Sequence, residues 1–365
     1  SKSNAYGCRV HPDPDTLAFS SSTATSISQP AYRRAEQARD ELIEHAIRDG
    51  IIDAFDTRCE SMRESLRRYL DLSGSDIVFS PSGTDSQLQV HLLARLLLDG
   101  PVTTIVLGVD QTGSGTAQTA RGRHFSNRTA QGKIVTRGNS VAGRDAISIG
   151  ISLFAEDGAI RSTSEIDTAA IEAVTQQTQA GRKILLQTMD SSKLGWRTPS
   201  DACLREIRAR WPHAVQTVVD ACQMRITKLR LHEVLARDCI VLLTGSKFFS
   251  GPAFSGASLW PPAISARIAA MNTPPRGLSD YATRFDLPLH WAGIRADLSS
   301  VPNFGQWLRW EAALEEMRAY HALPVSWRCA ALAQLSDAAA AVIVSSPHLE
   351  LLEARDHAPD EHMPA

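Results

Sequence analysis

Leu243-Thr244-Gly245-Ser246-Lys247-Phe248-Phe249-Ser250-Gly251-Pro252 follows a short apolar run, Cys239 to Leu243, and sets a lysine at the mouth of that run. Lysine is seldom buried without a partner. Partial desolvation favours its neutral amine, which is nucleophilic toward an aldehyde. Thr244 and Ser246 flank it with hydroxyls suited to an anion such as phosphate. A surface lysine beside a strand is the ordinary alternative, so the reading depends on the rest of the chain.

Working outward, three other apolar runs end in chemically loaded segments. In Val218-Val219-Asp220-Ala221-Cys222-Gln223 an acid stands at a strand end. A carboxylate there is suited to keeping a heteroaromatic nitrogen protonated, and Gln223 to reaching an oxygen on the same ring. Ile77-Val78-Phe79 leads into Ser80-Pro81-Ser82-Gly83-Thr84-Asp85 and then into a helical stretch. Small residues at a helix start let backbone N–H groups approach an anion, and Thr84 adds a hydroxyl. Lys183 to Met189 leads into Asp190-Ser191-Ser192-Lys193-Leu194-Gly195, a polar loop. Each segment also has a plain explanation as a cap or turn.

The intervening chain predicts an alternation of strands and helices. Thr103 to Val109 and Ala146 to Phe154 read as further strands, and Gln87 to Leu98, Ile166 to Gln179 and Ala202 to Arg210 as helices. Such alternation implies an α/β protein with a doubly wound, mainly parallel sheet. Ligands of open α/β sheets sit beyond the carboxyl ends of the strands, where all four loaded segments fall. Before the sheet, Ala31 to Arg48 and Asp53 to Leu70 predict two amphipathic helices divided at Gly50. After it, Gln306 to Tyr320 predicts a helix with Trp307, Trp310, Leu314 and Met317 as its core stripe, and Ala330 to Ser345 a helix running into a strand. The expected division is an N-terminal arm and helix (1–50), a large ligand-binding domain (51–260), and a smaller α+β C-terminal domain (261–365) whose polar, abrupt end leaves room for more chain.

Composition narrows the function classes. Hydrophobic residues make up 43% of the 365 and charged residues 21%, which suits a substantial core. The formal net charge of −2 argues against a general nucleic-acid binder. No run of about 20 apolar residues predicts a membrane span. The six cysteines are scattered without a C-x-x-C pair, so neither a disulfide framework nor a metal site is expected. Free thiols and a start without a charged-then-apolar leader lead to the expectation of a cytoplasmic protein. Gly113-Ser114-Gly115 lacks the third glycine of a dinucleotide fingerprint.

Taken in order, these segments resemble the class V aminotransferase and cysteine desulfurase group of fold-type I pyridoxal-phosphate (PLP) enzymes. Ser82-Gly83-Thr84-Asp85 resembles that group's S-G-x-T-E loop, one residue shorter. Ser191-Ser192-Lys193-Leu194-Gly195 resembles its N-N-E-x-G, and Asp220-Ala221-Cys222-Gln223 matches its D-x-x-Q. Thr244-Gly245-Ser246-Lys247 stands at its S-x-H-K, with Ser246 in place of the histidine. Arg295-Ala296-Asp297-Leu298-Ser299-Ser300-Val301-Pro302 lies on its R-S-G-T-x-N-x-P, without the Gly-Thr. Gln111-Thr112 falls where the ring-stacking residue would.

The resemblance implies an aspartate-aminotransferase-like large domain, pyridoxal 5'-phosphate as cofactor, and a homodimer acting on a small amino substrate. It further implies Lys247 as Schiff-base lysine and catalytic base, Asp220 on the ring nitrogen, and Gln223 or Ser192 on the phenolic oxygen. Ser82, Gly83, Thr84, Thr244 and Ser246 would stand around the phosphate, with Ser299 the remaining candidate for a contact across the dimer. Arg121, Arg123 and Arg295 are the candidates for a substrate carboxylate. Transamination is the first expectation and a C–S lyase or desulfurase the second, with racemisation and decarboxylation open. Cys329, at a predicted helix start, is poorly placed to accept sulfur. A non-catalytic binding module on the same fold is the alternative of another class.

Overall fold

The computed structural model describes residues 3, 7–16, 24–143 and 146–351. The polar tail 354–365 noted in the sequence lies outside them.

Two antiparallel helices open the described fold. Helix α1 (Gln29–Asp49) is capped by Ser28, whose hydroxyl accepts from the Ala31 N–H, and has Pro30 in its first turn. Gly50, at φ +84°, breaks the chain before α2 (Ile51–Leu70). The sheet elements follow: β1 (Asp76–Ser80), α3 (Gly83–Leu97), β2 (Val102–Leu107), α4 (Thr116–Thr119), β3 (Ile147–Ile151), α5 (Thr163–Gln179), β4 (Lys183–Met189), α6 (Asp201–Arg210), β5 (Val215–Asp220), α7 (Lys228–Ala236), β6 (Ile240–Thr244) and β7 (Gly256–Trp260). Helices α8 (Pro262–Ala269), α9 (Ala292–Ala296), α10 (Phe304–His321) and α11 (Val325–Val344) complete it.

The seven strands form one sheet in the order β1-β7-β6-β5-β4-β2-β3. The five from β6 to β3 run parallel, and β7 runs antiparallel to both β1 and β6. The expected mainly parallel α/β sheet is therefore present. Successive side chains on a strand point to opposite faces, and the core divides accordingly. Ile77, Phe79, Val219, Val241 and Leu243 join the layer made by α1, α2 and α10. Val78, Val218, Ile240 and Leu242 join the layer made by α3, α8 and α9. A third cluster packs α5 and α6 on β2, β3 and β4.

Trp307, Trp310, Leu314 and Met317 form the buried stripe expected of α10, each contributing roughly 1.5–3 kcal/mol of burial. The Trp310 indole N–H also donates to the Gly256 carbonyl at 3.0 Å, fixing the helix to β7.

Beyond Trp260 the described residues hold no strand. The expected change from helix to strand within 330–345 does not occur. Val342, Ile343 and Val344 stay helical in α11, where no partner strand reaches them. Helix α11, with 20 residues, is long and apolar enough, by length and composition, to cross a membrane, although Arg328 and Asp337 interrupt it. None of its residues is buried.

Candidate active site

The loops after β2, β4, β5 and β6 converge at the carboxyl end of the sheet, where the strand order reverses about the β2–β4 pair. They line a crevice of about 90 Å³ that includes Gln111, Thr112, Ser192, Asp220, Gln223 and Lys247. The lysine, acid and amide singled out in the sequence thus share one crevice, together with Met189, Ser191, Lys193 and Cys222. A larger cavity of about 570 Å³ lies at the opposite end of the strands and contains none of these groups. Chemistry, and not size, marks the smaller one as the candidate site.

Strand pairing explains how the groups come together. Met189 pairs with Asp220, and Asp220 with Leu242, so β4, β5 and β6 end nearly level. Asp220 is held by its own turn. Its Oδ1 accepts from the Cys222 N–H at 3.0 Å, and its carbonyl accepts from the Asp190 N–H at 3.0 Å. Lys247 is half-buried three residues past β6. Lys193 crosses the rim, its Nζ donating to the Thr112 carbonyl at 3.1 Å.

The first turn of α3 backs onto the same place. A Cβ added at Gly83 would lie 2.8 Å from Cys222 Sγ and 3.4 Å from Thr244 Cγ2. Only a residue without a side chain lets this helix start cross the end of β5 so closely. Ser82 caps the helix by accepting from the Asp85 N–H and donating to the Asp85 carboxylate. Full burial lifts the Asp85 pKa to about 6, against the opposing hydrogen bond from Ser82. A buried, partly neutral acid in the first turn leaves the positive end of the helix less cancelled.

The hydroxyls proposed for a phosphate are not equivalent. Thr244 donates to the Cys222 carbonyl at 2.8 Å, so its one proton fastens the strand end instead of facing a ligand. The Ser82 proton is likewise taken by Asp85. Thr84 and Ser246 have no hydrogen-bond partner for their hydroxyls among the described residues and remain able to donate. Ser192 accepts from the Leu194 and Trp196 N–H groups at 3.2 and 3.1 Å, which closes its loop and leaves its proton to give.

Arg295 is not a substrate ligand. It is 4% exposed, donates to the Arg284 and Leu287 carbonyls, and pairs with Asp56 at 2.7 Å. Ser299 Oγ accepts from the Val301 N–H in its own loop, which leaves its proton to give. Two half-buried arginines passed over in the sequence, Arg225 and Arg309, have no carboxylate partner among the described residues, and burial lowers the pKa of each. Arg225 follows Gln223 by two residues, and the Arg309 guanidinium stands 5.8 Å from the Phe254 ring centroid, in the loop that carries Lys247.

Sequence reasoning also missed Cys222, which lies between the α3 start and the crevice. Burial raises its thiol pKa well above the ordinary value, the neighbouring Asp220 adds to this, and Lys247 opposes it. It is a protonated thiol and a poor nucleophile. Its place in D-x-x-Q was the available signal, since strand-end residues two apart share a face. No aromatic side chain lines the crevice among the described residues.

No protein-family model matches the chain, and no curated protein does. Solved structures share its fold. One is a C-DES mutant with glycine covalently linked to the PLP cofactor, 14% identical with a TM-score of 0.53, over 88% of this chain and 76% of that one. Another is a NifS-like protein, 15% identical with a TM-score of 0.51, over 82% of this chain and 68% of that one. A cysteine desulfurase from Thermococcus onnurineus is 13% identical with a TM-score of 0.47, and the chain spans 66% of its length. At these identities the likeness to the first two shows the fold alone.

Proposed function

We propose that the chain is a PLP-dependent enzyme acting on a small amino compound, with Lys247 holding the cofactor. The observation that carries this reading is the convergence of Lys247, Asp220 and Gln223 in one crevice at the carboxyl ends of a fold-type I sheet. The donor set suits such a cofactor. An amine is available for an aldehyde, a carboxylate for a pyridinium, an amide donor for a phenolate, and a side-chain-free helix start for a phosphate.

When bound, pyridoxal 5'-phosphate supplies an electron sink for negative charge developing at a substrate α-carbon. Lys247 would hold the aldehyde carbon through Nζ and, once freed by the amino substrate, take the α-proton as general base. Asp220 would keep the ring nitrogen protonated, with Gln223 and Ser192 donating to the phenolic oxygen. The Gly83 and Thr84 N–H groups and the Thr84 and Ser246 hydroxyls would carry the phosphate. Arg225 and Arg309 replace Arg295 as the cations proposed for a substrate carboxylate.

Transamination is the favoured reaction. A desulfurase needs a reactive sulfur acceptor, and the one cysteine in the crevice, Cys222, is held protonated. Comparing keto-acid-dependent amino transfer with sulfide release separates the two. A homodimer is also proposed. Leu289, Val301 and Phe304 stand exposed at or near the segment that the resemblance assigns to partner contact, and sedimentation velocity tests it.

The central test is reduction of cofactor-supplied protein with borohydride, followed by peptide mapping. The expected result is a pyridoxyl group on Lys247 and a near-visible absorbance band that Lys247→Ala abolishes. A label at another residue, or none, overturns the proposal.

A further inference from the structure

The cavity of about 570 Å³ shares no lining residue with the Lys247 crevice. It lies at the amino ends of β5 and β6, where Val215, Gln216 and Thr217 begin one strand and Cys239 precedes the other. Strand β5 spans six residues, so roughly 17 Å separates this end of the sheet from Asp220.

Its charge is lopsided. Arg205 and Arg208 come from α6, Arg237 from the end of α7 and Arg267 from α8, against one acid, Asp238. Asp238 is taken by Arg208 at 2.9 Å, and Arg267 donates to the Leu97 carbonyl at 2.8 Å. Arg237 stands 3.5 Å from Asp201, outside the lining, an acid that Arg230 already engages closely. Arg205 has no ion pair or hydrogen bond among the described residues. Arg208 and Arg237 also offset the negative ends of their helices, but Arg205 lies mid-helix, where that benefit is absent. Between the cations the wall is apolar, with Leu204, Pro212, Val215 and Ile264 lining it.

We propose that this cavity is a binding site for a small organic phosphate, whose phosphoryl group pairs with Arg205 and Arg237 and whose body lies on Leu204, Val215 and Ile264. Guanidinium groups match phosphate oxygens as paired donors, and a cleft with apolar walls concentrates the field of the surplus cations. The volume falls within the range of small-molecule sites. A bare inorganic anion would leave the apolar wall without a contact. The site stands apart from the PLP reading and does not rest on it.

The test is calorimetric titration of the cofactor-supplied protein, freed of unbound PLP, with adenosine monophosphate, ribose 5-phosphate and inorganic phosphate in turn. Saturable binding of at least one ester, tighter than that of inorganic phosphate, is expected. Arg205→Ala removes an exposed side chain without a partner, so the fold is retained, and affinity should fall about tenfold or more. Arg205→Glu should abolish binding. Arg39→Ala, an exposed arginine of α1 outside the cavity lining, should leave it unchanged. Absence of saturable binding by either ester, equal affinity for inorganic phosphate, or undiminished binding by Arg205→Glu overturns the proposal.

Discussion

Replacing Gly256 with alanine should test how the candidate phosphate-binding turn is held. Gly256 opens β7, and a Cβ there would lie 2.4 Å from the Ser82 carbonyl carbon and 2.5 Å from its oxygen. Ordinary van der Waals contact begins at 3.4 Å, so one partner must move by about 1 Å. Neither moves readily. β7 is bonded to β1 on one side and β6 on the other, and Ser82 caps α3. Overpacking of this kind costs roughly 1–3 kcal/mol, and two backbone partners put it at the upper end. Restricting the unfolded chain returns about 0.4–1 kcal/mol, leaving a net loss of about 2–2.5 kcal/mol. Urea unfolding at pH 7 reads this directly. Gly113→Ala, with nothing within 4 Å of the added carbon, is the control and should lose nothing. Because the strain falls on Ser82, cofactor affinity should weaken in Gly256→Ala even where the protein is fully folded. A Gly256→Ala midpoint equal to that of Gly113→Ala would refute the close approach.

Three further outcomes follow from the same structure. Asp85 has its pKa raised to about 6 by burial, so the folded state binds its proton more tightly than the unfolded chain, and stability from this group is present at low pH and lost as pH rises from about 4 to 6. Asp85→Asn should flatten that fall by on the order of 2 kcal/mol in urea titrations at pH 4.5 and 7, and an unchanged pH dependence would count against it. Lys193→Ala removes the strut to Thr112 and should leave the unfolding midpoint within experimental error while speeding release of bound cofactor in stopped-flow exchange; unaltered release would show that the strut does not gate the crevice. Helix α11 has no buried residue, so trypsin should cut at Arg328 well before it cuts within α10, and equal protection of the two would mean that α11 is covered.

Much of this architecture was legible because β2, β4 and β6 are buried along almost their whole length and read as apolar runs. Lys183 to Met189 coincides with β4, and the strand ends at Asp220 and near Lys247 fell within a residue or two. Strand β7 was not legible. Ala257-Ser258-Leu259-Trp260 has no β-branched residue and follows a Gly-Pro turn, so its strand state comes from the partners β1 and β6. Val342-Ile343-Val344 misled in the other direction, because its β-branched residues continue an alanine-rich helix. At the site, residue types revealed which groups assemble but not which protons are already spent. Thr244 and Ser82 have the composition of phosphate donors, and only their three-dimensional neighbours show the hydroxyls engaged elsewhere. Arg295 illustrates the same limit, since a cation in a suggestive motif is consumed by two carbonyls and Asp56.

The antiparallel return of β7 has a mechanical consequence for the amine. The link carrying Lys247 leaves one buried strand and re-enters its hydrogen-bonded neighbour, so both stems are anchored in the sheet. Swinging that link outward would require unzipping the sheet's middle. The backbone of Lys247 is therefore in place before any ligand arrives, and capture has only the side chain left to order. The Gly245 and Gly251 amides, bonded to the Ser255 and Gly245 carbonyls, should show protection nearly as lasting as that of the strands on either side.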